Sequence, residues 1–390
     1  MDAKERARAR LDEYRGPLVE LSHRIHAHPE LAFQEHQACA WLAETLSDAG
    51  LAVETGVCDL PTAFAGRAGE GLLHVAFCAE YDSLPEIGHA CGHNIIATSA
   101  AGAAIALAPL ADELGLTVRI IGTPAEEGGG GKILLLDRGA FDGVHVAMMV
   151  HPSPVDVLTP PAIAVLHIDV YYTGKEAHAA SFPDRGVNAA DALTVAQVAI
   201  GLLRQHIRPT DKIHGIITKG GDAPNVIPAH TSARYYIRAR RLEHLEELRP
   251  KVYRCFEAGA LATGATLEIV EDGKPYSHIA HDPDLAEAYR RNAEALGRAF
   301  VDLGPAAESR AGSTDMANVS LALPAIQPLI GIDSLPALGH QPEFAAHCVT
   351  PAADQAVYDG ALAMAWTAID LALDERLRAR LLRGDGGDAA

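Results

Sequence analysis

The chain has 390 residues, 48% of them hydrophobic and 21% charged, a profile that excludes a disordered polymer and gives room for one large or two medium domains. Against 32 Lys and Arg stand 51 Asp and Glu, a formal charge of −19, which argues against nucleic acid or an anionic membrane as a general partner, because each phosphate contact needs a cation. The opening stretch MDAKERARARLDEYR carries no apolar core of the signal-peptide kind, so a cytoplasmic protein is expected, with Cys39, Cys58, Cys78, Cys91, Cys255 and Cys348 as scattered reduced thiols.

In chain order, 37–49 reads as a helix and 73–79 (LHVAFCA) as a short buried strand. Residues 94–114 read as a helix whose first 18 residues carry no charge. That reaches the lower length limit of a membrane span, but the stretch is rich in Ala with Asn, Ser, Thr and Gly, and predicts a buried, closely packed helix instead. Strands follow at 117–122 and 144–150, with a helix at 132–138 between them. A proline-dense passage, 151–161, breaks the chain. Then come a strand (162–173), a helix (187–206), strands at 213–219 and 231–240, a helix (243–262) and a strand (265–271). This β-α-β-β-α-β order is the ferredoxin-like pattern. A second break at 271–283 leads to helices at 285–297 and 351–373 with an apolar run at 324–332 between them. The expected fold is α/β: a mostly parallel sheet with helices on both faces, formed by 1–161 and 275–390 and interrupted by a ferredoxin-like insert at 162–274.

Active sites of such sheets collect at the carboxyl ends of the strands. The first strand is followed by Glu80, Asp82, His89, Cys91 and His93, the second by Glu126 and Glu127, the third by His151, and the last apolar run by His340. Singly, each has a bland reading: a satisfied polar histidine, a core thiol, a solvated acidic pair. Their coincidence at successive strand ends points to a metal centre. A thiolate with imidazoles and a carboxylate suits Zn or a related transition ion rather than calcium or magnesium. Of two adjacent carboxylates, one can bind metal while the other takes a proton from bound water and passes it to a leaving amine. The glycine run Gly128–Gly131 before Lys132 is no phosphate loop, since Glu126 stands where the first glycine should be and Ile133 replaces Ser or Thr. A cysteine hydrolase using Cys91 with His93 lacks an orienting third group. A non-catalytic metal-binding protein on the same fold is the remaining alternative. His23, His26, His28 and His36 share no tight helical face and are read as structural.

Seven motifs occur in order: CAEYDSLPEIGHACGHN, GTPAEEGGGGK, VHP, TGKEAHAA, PNVIP, GSTDM and GHQPEF. Over roughly residues 20–370 the chain resembles the dimetal amidohydrolase–peptidase family of the aminoacylase and carboxypeptidase type. It is most similar to the branch of aminobenzoyl-glutamate hydrolases, indole-acetyl-amino-acid hydrolases and β-alanyl-lysine-type dipeptidases. The resemblance implies two divalent ions (Zn, or Mn or Co) held by Cys91, His93, Glu127, His151 and His340, with Cys91 bridging. It implies Glu126 as the base that activates a metal-bound water, and Asp82 as the carboxylate that orients a ligand. Glu80 stands where many relatives carry a metal-binding histidine, and is expected to support ligands instead. In the insert, the resemblance gives His178 the role of polarising the scissile carbonyl, and makes Asn225, Arg238, Gly312 and Ser313 substrate-binding. The implied reaction is hydrolysis of the amide of a small N-acyl or N-aminoacyl amino acid or dipeptide, by a homodimer joined through the insert, which serves as lid and dimerisation domain.

Overall fold

In a computed structural model, residues 1–304, 307 and 311–384 are described. The chain divides into two compact units, one of residues 1–161, 279–307 and 314–390, the other of 162–278 and 308–313.

The first unit is a mixed α/β structure around a six-stranded, mostly parallel sheet. The strand order is Ala52–Thr55, Phe64–Ala68, Leu116–Gly122, Leu73–Ala79, Val146–Met148, Ala325–Ile326. The four strands from Leu116–Gly122 onward run parallel, while the first two add an antiparallel edge. Strand alternation divides the central strand between two cores. Val75, Phe77 and Ala79 pack with the helices Ala3–Ala27, His93–Leu107 and Pro351–Leu373. Ala76 and Cys78 face Leu135, Met316 and Val319, from the helices Gly131–Asp137 and Met316–Ala322.

Every residue of His93–Leu107 is buried. With the turn that follows it, this helix (His93–Leu110) and Pro351–Leu373 are long and apolar enough to cross a membrane, yet most of each is enclosed by the protein. Alanine and glycine make the enclosure possible: a Cβ on Gly102 would lie 2.8 Å from the Cβ of Ala361.

Three expected elements differ in extent. The helix expected to 114 ends at Leu107 and passes into a 3-10 turn, Ala108–Leu110, because Pro109 has no N–H to continue the ladder. The strand expected at 144–150 is two strands, Val146–Met148 and His151–Ser153, which pair in different sheets. Its partner run at 324–332 breaks in the same way, into Ala325–Ile326 and Leu329–Gly331 around Pro328. Sequence periodicity also leaves out the long first helix, Ala3–Ala27. Its buried positions Ala7, Leu11, Leu18, Leu21 and Ile25 form a narrow stripe in a polar segment, opened by an Asp2–Glu5 capping box.

The second unit runs strand Ala164–Thr173, helix Ala189–Leu203, strands Lys212–Lys219 and His230–Ala239, helix Leu242–Thr263 and strand Thr266–Glu271. Its sheet is antiparallel, in the order Thr266–Glu271, Ala164–Thr173, His230–Ala239, Lys212–Lys219. Leu166, Ile168, Val170 and Tyr172 alternate inward against Leu193, Ala196 and Ile200 of one helix and Leu248, Val252 and Phe256 of the other. The intervening residues, including His167, Asp169, Arg234 and Arg238, lie on the sheet's other face.

Candidate metal centre

The strand Leu73–Ala79 ends in Glu80, Tyr81 and Asp82, all buried. Further along, Cys91 and His93 flank Gly92, which caps the helix His93–Leu107 with a left-handed φ of 76°. A Cβ on Gly92 would come within 2.4 Å of Pro152, so only glycine lets this turn close on the His151–Pro152 segment. Asn94 pins the same turn, donating to Ser22 Oγ at 2.9 Å and to the Cys348 carbonyl at 3.0 Å.

Asp82 links two of the ligand-bearing segments. Its Oδ1 lies 3.1 Å from His93 Nδ1, and its Oδ2 accepts the Glu127 N–H at 2.9 Å. Burial works against its ionisation, but His93 and the N–H groups of Glu127 and Glu126 outweigh it and hold Asp82 below the usual carboxylate range. With Nδ1 bound to Asp82, His93 presents Nε2, which is buried and has no hydrogen-bond partner. In the same way His151 Nδ1 lies 2.8 Å from its partner, the Pro152 carbonyl, and Nε2 is presented. Cys91 Sγ lies 3.5 Å from His151 Nε2 and 3.6 Å from His340 Nε2. His340 Nε2 is in turn 3.5 Å from Glu127 Oε1. His340 is the exposed member (its side chain is 59% accessible), in a left-handed turn with φ 66° whose N–H reaches the Ala90 carbonyl at 2.8 Å.

These contacts form two donor trios, Cys91–His93–His151 and Cys91–Glu127–His340, sharing the cysteine. The residues fit divalent metals by their chemistry and by the bare lone pairs of His93 Nε2 and Glu127 Oε1, buried polar atoms without a hydrogen-bond partner. Glu126 stands beside the trios, one carboxylate oxygen 3.8 Å from His93 Nε2. Burial first, then the charges of Glu80, Glu127 and Asp315, hold its carboxyl well above the usual range. Burial, then Glu127, push the Cys91 thiol up as well, which argues against a free cysteine nucleophile.

Two supports escaped the sequence reading. Lys132 is fully buried; its ammonium binds Glu80 and, at 2.9 Å, Asp315 Oδ1, while its backbone N–H donates to Asp315 Oδ2 at 2.9 Å. Burial opposes its charge, but Asp315 and Glu80 raise it above the ordinary lysine range. A lysine directly after a glycine run and two carboxylates was the available signal. Glu35 is the other. Its Oε1 accepts N–H groups from Phe33 at 3.0 Å and from Ala125 at 2.9 Å. Ala125 is a non-glycine at φ 59°, so Glu35 braces a strained residue next to Glu126. No local pattern marks Glu35.

The remaining expected residues lie in the second unit. His178 Nδ1 accepts N–H groups from Ala180 at 3.3 Å and Ser181 at 3.2 Å, which leaves Nε2 as the protonated nitrogen. The Asn225 carbonyl accepts the Ala179 N–H at 3.0 Å, so both residues belong to one loop cluster. Arg238 donates to Ser313 Oγ at 2.8 Å and lies 3.2 Å from His214 Nε2, and the Gly312 carbonyl accepts the Ile163 N–H at 2.9 Å. His23 and His26 serve structure, contacting Asp354 at 2.7 Å and the Ala345 carbonyl at 2.8 Å.

Comparison with known proteins places the chain in a family. The model of "Peptidase family M20/M25/M40" matches residues 76–357. A mouse Xaa-Arg dipeptidase is 39% identical over 384 residues, covering 94% of this chain and 88% of that protein. One component of the p-aminobenzoyl-glutamate hydrolase of Escherichia coli is 33% identical over 271 residues, covering 64% of this chain and 56% of its own. Among solved structures, a dinuclear metal-binding M20 peptidase of Bacillus subtilis superposes with TM-score 0.70 at 22% identity, over 92% of this chain and 99% of that one. An aminobenzoyl-glutamate utilization protein of Klebsiella pneumoniae gives 0.75 at 18% identity, over 94% and 98%.

Proposed function

The chain belongs to the M20/M25/M40 peptidase family of metal-dependent amide hydrolases, and from that premise we propose that Glu126 is its catalytic base and that its substrates are small dipeptides or N-acyl amino acids. The observation that carries this reading is the meeting of two donor trios at Cys91 with a buried, hard-to-ionise carboxyl beside them. Cys91, His93 and His151 would hold one ion, and Cys91, Glu127 and His340 the other. Bound there, Zn, Mn or Co would lower the pKa of water and polarise the substrate carbonyl.

The protein's own groups do the rest. Asp82 keeps His93 in the tautomer that presents Nε2, and ties Glu127 to the same frame. Glu126 takes a proton from the attacking water and returns it to the departing amine; a raised pKa suits the return step. Glu35 holds the backbone that aims Glu126. His178, whose Nε2 carries the proton, donates to the developing oxyanion, and Arg238 pairs with the substrate carboxylate, with Asn225, Gly312 and Ser313 completing substrate contact.

We read the second unit as a ferredoxin-like lid and dimerisation domain. Its element order and sheet order support that reading. Lys212–Lys219 is an edge strand whose Ile216 and Ile217 are exposed, near in sequence to the exposed Val198 and Leu202 of the neighbouring helix; this supports a homodimer through the insert, which sedimentation will test.

The deciding experiment is a hydrolysis panel. Protein stripped and reloaded with Zn, Mn or Co meets Xaa-Arg dipeptides, N-acetyl amino acids and p-aminobenzoyl-glutamate. Metal-dependent amine release that disappears in Glu126→Gln is the expected result. Two bound ions with no turnover would return the non-catalytic reading, and turnover indifferent to metal would overturn the mechanism.

A further inference from the structure

We propose that Lys132 is a positioning residue for the metal centre: its ammonium, clamped between Glu80 and Asp315, keeps the ion bound by His93 on the Cys91–His151 side and off Glu80 and Glu126. The inference rests on the two-metal reading above and adds what decides between two possible places for one of the ions.

The need for such a device is visible in the geometry. Among the described residues three donor trios converge, and the third is Glu80–His93–Glu126. His93 belongs to two of the three. Its Nδ1 is engaged by Asp82, so Nε2 is its one available lone pair and can serve one ion at a time. The Cys91–His151 position and the Glu80–Glu126 position are therefore alternatives. The second is a real competitor: Glu80 Oε2 lies 3.5 Å from His93 Nε2, is buried and has no hydrogen-bond partner. An ion taken there would consume Glu126 as a ligand and remove the base.

Lys132 acts on this choice through Glu80. Its ammonium occupies the other oxygen of the same carboxylate. A divalent ion on Oε2 would then face a second cation across a single carboxylate, in a region where charge is weakly screened. Asp315 fixes the ammonium by accepting both from Nζ and from the Lys132 backbone N–H. Lysine suits the task, as a compact point charge that satisfies two carboxylates at once. A buried ion trio is a weak source of stability; what it does provide is a fixed positive charge at one place.

The test uses the full chain stripped of metal and loaded with cobalt(II). Thiolate-to-cobalt charge-transfer absorbance reports the cobalt bound to Cys91, and elemental analysis counts the ions. The wild type is expected to bind two cobalt ions with both on the thiolate. In Lys132→Met and Lys132→Gln, the second of which keeps an uncharged donor, the absorbance per cobalt falls about twofold while two ions remain. Adding Glu80→Gln to Lys132→Met removes the competing carboxylate and restores the wild-type value, and Lys132→Arg, which retains the charge, keeps it. Circular dichroism checks that each variant is folded. Folded neutral variants with undiminished absorbance at two cobalt ions would overturn the proposal and leave Lys132 a structural ion pair. A wild type that binds cobalt with no thiolate band would instead overturn the ligation by Cys91, a failure of the preceding reading that the variants do not share.

Discussion

Both units carry clusters of charged and imidazole side chains, and they treat them in opposite ways. On the open face of the second unit's sheet, Arg234 meets Asp169 in a two-pronged pair at 2.8 and 2.9 Å, half in water, with each group satisfied by the other. At the strand ends of the first unit the groups are buried and incompletely satisfied: His93 Nε2, Glu80 Oε2 and Glu127 Oε1 end on no hydrogen-bond partner. A sequence shows both clusters as polar residues among apolar ones. Several buried, unpaired groups converging at one place mark a site off from a decorated surface, because each unpaired buried polar group costs free energy.

The contrast can be broken deliberately, and the largest effect should come from Glu126. Glu126→Gln is expected to lower kcat by about 10³-fold, within the span for general acid–base catalysis, while elemental analysis still finds the wild-type metal content. Glu35 comes next. Burial pushes its carboxyl up to about 7 from the ordinary 4.5. The folded state therefore holds this proton more tightly than the unfolded state. The stability it contributes is complete below pH 4.5 and is lost as the pH rises through 7. Denaturant titrations of wild type and Glu35→Gln at pH 4 and pH 8 should show the wild type losing about 3 kcal/mol relative to the variant, at about 1.4 kcal/mol per pH unit. Asp82→Asn follows: removing the charge that holds the His93 tautomer should weaken metal binding about 10- to 100-fold in a chelator competition. The smallest effect belongs to the satisfied cluster. Arg234→Ala should change unfolding free energy by less than about 1 kcal/mol and leave metal content untouched, as an exposed pair does.

The strands of the first unit were legible because their apolar runs are short and bounded, and the residues after each run then fell where chemistry gathers. Cys91, His93, Glu126, Glu127, His151 and His340 stood out for that reason. Lys132, Asp315 and Glu35 did not, since their meaning lies in partners up to 183 residues away and a one-dimensional pattern carries no distance. The antiparallel edge Ala52–Thr55 and Phe64–Ala68 was missed because only Phe64 and Gly66 of its nine residues are buried, so neither strand shows an apolar run. Pro109 and Pro328, by contrast, are interruptions visible in the sequence itself, each standing where a regular element breaks.

The helix His93–Leu107 has one more consequence. Its first residue is a candidate ligand and its whole length is gripped by alanine and glycine contacts, among them Gly102 against Ala361 and Gly360 against Ser99. Interiors packed this closely have little compressibility. His93 is thus mounted like the fixed jaw of a calliper, and His151 is set against it through the touching of Gly92 and Pro152. A gauge with rigid jaws holds its own setting: the spacing of His93 and His151 is fixed by the packing behind them rather than by what lies between them.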